Sequence, residues 1–131
     1  MLNKELIKFQ EWSEKAQEDL QSAHILSKHN GAPAIVAFHA QQVVEKYLKG
    51  FLVFKNQPFE KTHHLDDLLR QCMKLEADFA QFSNEVSVLN DYYIESRYPI
   101  ETKEDISNKE ALEAIEIAEI VKEFVIARIS E

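Results

Sequence analysis

Apolar residues recur along this chain at helical spacing, and the breaks between the periodic runs are few. Leu6, Phe9, Ala16, Leu20, Ala23 and Leu26 lie on one helical face, and the run stops at His29-Asn30-Gly31, where Gly31 is a suitable terminator. Ala32-Pro33 restarts the chain, because proline is tolerated in a first helical turn where its missing N–H is not needed. The second run, to about Phe54, carries Val36, Val43, Val44, Tyr47, Leu48, Phe51 and Leu52 on roughly half the circumference, with a polar other half. Asn56-Gln57-Pro58 breaks it, and Thr62 is placed to cap a third helix bearing Leu65, Leu68, Leu69, Met73 and Leu75. A fourth helix, starting near Asp78 or Ser83, aligns Phe79, Phe82, Val86, Leu89 and Tyr93 and must end by Tyr98, ahead of Pro99. After a polar loop from Ile100 to Ile106, Ser107 and Glu110 form a capping box that opens the last helix.

That last helix is apolar over most of its surface, with Glu113, Glu116, Glu119 and Glu123 gathered in one stripe. Such breadth predicts burial from more than one side, either at the centre of the bundle or against a second subunit, and deeper burial than for the first helix. No strand pattern, repeat or linker interrupts the chain. The expected fold is all-α, a five-helix up-and-down bundle with antiparallel neighbours, forming a single domain over residues 1–131. Composition agrees. Only two Gly and three Pro occur, too little punctuation for the many turns of a sandwich or barrel, and 45% hydrophobic residues suffice for one core.

The single cysteine, Cys72, excludes an internal disulfide, and no cysteine pair has metal-ligand spacing, so a cytoplasmic location is the expectation. The most apolar stretch, Ala111 to Ile129, holds too many charges to span a membrane. A formal net charge of -8 argues against non-specific coating of nucleic acid. From His39 to Lys74, however, six Lys or Arg face four acids, so an anionic ligand is expected near this middle segment and a basic protein partner at the acidic carboxyl end.

In helix two, His39, Gln42, Lys46 and Lys49 are spaced three, four and three apart, on one arc about 80° wide and about 15 Å long. Imidazole, amide and two ammonium groups on one stripe suit a phosphate and base together; the plainer reading is the solvated face of an amphipathic helix. His63-His64 with Asp66 and Asp67 suggest a metal site only superficially, since adjacent helical side chains diverge, and no cofactor is expected. No phosphate loop or nucleophile elbow is present.

Phe38-His39-Ala40-Gln41-Gln42-Val43-Val44-Glu45-Lys46-Tyr47-Leu48-Lys49 resembles the helix-two signature of the HEPN family. Pro58, Lys61-Thr62-His63 and the leucines that follow resemble its Lys-Thr-His-Asp-Leu helix start, with His64 where Asp is usual. Arg97-Tyr98-Pro99 after a tyrosine-bearing helix is the third likeness, and the whole runs from about Trp12 to Ile129. The resemblance implies a helical bundle, frequently dimeric, that binds nucleotides or RNA and is often encoded beside a minimal nucleotidyltransferase in a two-component, toxin–antitoxin type system. A homodimer, a nucleotidyltransferase partner, and Arg97 and Tyr98 as further ligand contacts are expected on that basis. In the family's ribonucleases an Arg at this helix end is followed after four to six residues by His; here Thr102, Lys103 and Glu104 stand at those positions. Arginine stays protonated and cannot act as a general base, so cleavage by that chemistry is not expected. The rival readings are a ribonuclease whose acid–base group lies elsewhere, at His39 or on a second subunit, and a non-catalytic scaffold.

Overall fold

The structure is a computed structural model that describes residues 3–59, 61–93 and 106–130. It contains α1 (Lys4–Lys28), α2 (Pro33–Phe54), α3 (Leu65–Leu75), a 3-10 segment (Ala77–Phe82), α4 (Ser83–Asn90) and α5 (Asn108–Ser130), with no strand among the described residues. Three of the helices start where local chemistry favours it. Asn3 caps α1 by accepting from the Glu5 and Leu6 amides. Pro33 opens α2. The capping box at α5 is complete, with Ser107 N–H donating to Glu110 Oε1 at 2.9 Å and Glu110 N–H to Ser107 Oγ at 3.0 Å.

The centre of the bundle is α2 rather than α5. It packs against α1, α5, α3 and α4, and its buried residues include Val36, Ala40, Val43, Val44, Tyr47, Leu48, Phe51 and Leu52. α5 buries Ala111, Ala114, Ile115, Ala118, Val121 and Val125, more than α1 does with Phe9, Ala16, Leu20 and Ala23, yet Leu112 and Ile120 stay more than half exposed. Its apolar breadth therefore overstates its burial. Small residues permit the close helix approaches: a Cβ on Gly50 of α2 would stand 3.1 Å from both the Phe9 ring and Trp12 Cβ of α1.

Two local expectations change. α3 begins at Leu65, and Thr62 does not cap it directly: Thr62 Oγ1 accepts from the His64 amide, and Asn90 Oδ1 from the end of α4 accepts from the Leu65 amide at 2.7 Å. The expected fourth helix is split into the 3-10 segment and α4, which ends at Asn90, so Tyr93 lies beyond it. Its expected limit at Tyr98 and Pro99, and all of the following loop except Ile106, lie outside the described residues.

The α1–α2 turn yields a stability prediction. Asn30, not Gly31, takes the left-handed conformation (φ 59°), while the Gly31 amide donates to the Leu26 carbonyl at 2.6 Å. A Cβ on Gly31 would fall 2.7 Å from Leu26 Cβ and 2.9 Å from the Leu26 carbonyl oxygen, so the turn must open. Gly31→Ala is expected to lower stability by about 1–3 kcal/mol, read as a lower urea midpoint at unchanged slope. An unshifted midpoint would show that the turn yields freely.

Candidate functional site

The polar edge of α2 is not a solvated face. Gln41, Glu45 and Lys49 are buried, and each polar group of the stripe meets a partner supplied by another element or by the helix itself. Asp19 of α1 stands between His39 and Lys46, two turns apart on α2; its Oδ1 lies 2.8 Å from His39 Nδ1 and its Oδ2 pairs with the Lys46 ammonium. One turn around, Glu45 is a hub with its side chain 5% exposed. Its Oε2 accepts from Lys49 Nζ at 2.9 Å, and its Oε1 accepts from Gln42 Nε2 at 3.2 Å and faces His63 Nδ1 at 3.2 Å. Gln42 also donates to Gln41 Oε1, and Gln41 donates onward to the His63 carbonyl. Carboxylates only accept, so both histidines hold their proton on Nδ1 and turn Nε2 away from the acid.

Aromatic rings close this network. Lys49 Nζ lies 5.8 Å from the Trp12 ring and 5.4 Å from the Phe59 ring, and these rings meet edge to face at 5.7 Å. The His63 ring stacks on Tyr93 at 4.2 Å and 16°, Tyr93 touches Phe38 at 5.9 Å, and Phe38 touches His39 at 5.7 Å. The two acid-centred clusters are thereby linked along one side of α2. Beneath them, Tyr47 is buried with its hydroxyl 3.1 Å from Ser13 Oγ and accepting from Gln17 Nε2 at 2.8 Å. Burial pushes its pKa above the usual phenol value, and the two hydrogen bonds oppose that rise. Cys72 is also buried, its thiol pushed well up by desolvation, as suits a packing residue rather than a nucleophile.

Next to His63 the chain leaves a cleft of about 630 Å³, lined by Lys61, Thr62, His63 and His64 before α3, by Asn90 at the end of α4, and by Asp91 and Tyr93 after it. Lys61 has no ion-pair partner among the described residues, whereas Lys46 and Lys49 are both engaged by carboxylates. The structure thus brings His39, Gln42, Lys46 and Lys49 into one connected network, although Lys49 is turned inward. Arg97 and Tyr98 lie outside the described residues. Among those described, no three His, Cys, Asp or Glu side chains gather as metal ligands, and no helix is long and apolar enough to cross a membrane.

Sequence reasoning missed the partners more than the stripe. Asp19 is a charge set between inward-facing Ala16, Leu20 and Ala23, and a carboxylate so placed demands a cation from a neighbouring helix. The cleft residues Asn90 and Asp91 carry no comparable signal.

No curated protein matches the chain. Its fold is shared by two solved structures. One is ST0689, an archaeal HEPN homologue, at TM-score 0.76 and 24% identity, covering 93% of this chain and 98% of that one. The other is TT1696 from Thermus thermophilus, at TM-score 0.77 and 27% identity, covering 92% and 97%. The family profile described as HEPN domain matches residues 9–129, nearly the whole length and all three motif segments, and the chain therefore belongs to the HEPN family.

Proposed function

We propose that this chain is a nucleotide- or RNA-binding module that works beside a minimal nucleotidyltransferase, as a component of a two-component system rather than as a ribonuclease. The observation that supports this reading is the cleft at the start of α3, where the Lys61 ammonium, which has no ion-pair partner among the described residues, two imidazoles, a hydroxyl, an amide and the Asp91 carboxylate surround space for a ligand. Lys61 and His64 meet a phosphate, and Thr62, Asn90 and Asp91 supply donors and acceptors for a sugar or base edge. Lys46 and His39 are not among the cleft's lining residues and already satisfy Asp19, so a phosphate reaching them must compete with a carboxylate. They tie α2 to α1, while Glu45 is the carboxylate that faces His63. The nucleotidyltransferase pairing rests on the family resemblance of the three motifs.

The test is equilibrium binding of labelled mononucleotides and short single-stranded RNA across a salt series. Binding through one or two phosphate contacts gives a slope of log affinity against log salt between about -0.7 and about -1.4. Lys61→Ala is expected to lower affinity and flatten that slope while leaving the fold intact, since Lys61 is exposed. RNA incubated with the purified protein without metal is expected to stay intact. An unchanged affinity in Lys61→Ala would remove the cleft from the reading, and metal-independent cleavage abolished by His39→Ala would favour the ribonuclease alternative.

A further inference from the structure

The exposed face of α5 differs from the rest of the surface. Ile120 is 57% exposed and Leu112, eight residues earlier and about 80° round the helix, 51%; Glu116 and Glu123 stand exposed between their directions and Glu113 beside Ile120. Beside Ile120 runs a groove of about 190 Å³ between α4 and α5, lined by Gln81, Phe82, Glu85, Ile117 and Ile120. Its floor is firm, because Phe82 is buried against Phe124, with ring centroids 4.9 Å apart. One turn beyond Glu85, Val88 is a further half-exposed apolar residue on α4. The groove thus has an apolar wall of Ile117 and Ile120, with exposed carboxylates on both helices near it, Glu85 on α4 and Glu113, Glu116 and Glu123 on α5.

We infer that this groove receives an amphipathic helix of a partner protein, with apolar residues entering beside Ile117 and Ile120 and Lys or Arg residues facing the four glutamates. A helix laid in a groove anchors through residues one turn apart, and Ile117 and Ile120, three residues apart on α5, offer matching contacts. Charge complementarity chooses the partner. A second copy of this chain, the occupant that the breadth of helix five suggests in the sequence, would set glutamate against glutamate across the contact, whereas basic flanks steer and hold the opposite charge. Of the proposed function this takes only that a protein partner exists; the cleft beside His63 lies among other residues and is not needed for it.

The probe is a fluorescein-labelled 18-residue synthetic helix with leucines on one face and lysines flanking them, compared with a peptide of identical composition whose leucines are scattered. The expected result is at least tenfold tighter binding of the patterned peptide. Ile120→Glu is expected to lose at least tenfold, with its melting temperature and its nucleotide affinity unchanged, and Ile120→Ser to lose less. Equal affinity for both peptides would reduce the effect to bare charge and overturn the inference, as would an Ile120→Glu variant that binds normally. Sedimentation showing a wild-type dimer that Ile120→Glu dissolves would overturn it in favour of a second copy. Loss of nucleotide binding by wild-type protein, with peptide binding intact, would strike the proposed function and leave this surface standing.

Discussion

Replacing Glu45 by Ala is expected to destabilise the protein by about 3–5 kcal/mol, the usual cost of removing one member of a buried ion pair. Glu45 and Lys49 have side chains only 5% and 10% exposed, so deletion leaves the Lys49 ammonium facing Trp12 and Phe59 without a counter-charge. It also strips an acceptor from Gln42 and from His63. Glu45→Gln keeps an acceptor and the volume but not the charge, and should fall between. Removing both charges with volume retained, as Glu45→Leu with Lys49→Met, should recover much of the loss, because the expense of a buried pair lies largely in stranding one partner. Urea denaturation of the three variants decides this. A loss under about 1 kcal/mol for Glu45→Ala would mean that Lys49 finds water easily and that the network is peripheral to stability.

Phe51→Ala is expected to cost a similar amount, about 3–5 kcal/mol, through lost burial and an unfilled cavity. Phe51 is fully buried on α2 and meets Phe79 at 4.8 Å; Phe79 meets Phe124 of α5 at 4.8 Å, and Phe124 meets Phe82. One ring thus joins the central helix to the 3-10 segment and to α5, and these edge-on pairs add about 0.5–1.5 kcal/mol each beyond area. Phe54, partly buried one turn later, serves as the control and should lose clearly less on truncation. Equal melting temperatures for Phe51→Ala and Phe54→Ala would contradict the placement of this column.

Much of the bundle is legible in the sequence because apolar spacing and caps are local. Pro33 and the Ser107–Glu110 box mark helix starts that the structure keeps. Phe79, Phe82, Val86 and Leu89 have spacings that fit a 3-10 period as well as an α period at their start, so periodicity alone cannot show the split into Ala77–Phe82 and Ser83–Asn90. The pattern misplaces the centre of the bundle for a related reason. Treating charge as solvent-facing reads half of α2 as surface, whereas Glu45 and Lys49 pair with each other inside and buried Gln41 bonds with Gln42 and the His63 carbonyl. Conversely, Leu112 and Ile120 look like core in the pattern and lie on the exposed stripe of α5. The stripe residues themselves are visible through their spacing, but Asp19 and His63 meet them only through tertiary contacts. The cleft is assembled from the loop before α3 and the end of α4 with the residues that follow it, which no local pattern reports.

The central claim, that the ligand sits at the start of α3 and is held through the helix-two network, is tested most directly by nuclear magnetic resonance titration with a mononucleotide and a short RNA. Saturable shifts are expected at Lys61, Thr62, His63, His64, Asn90 and Asp91, smaller ones at Glu45 and Gln42 behind His63, and none at Ile120. Shifts confined to another surface, or none at millimolar ligand, would contradict it.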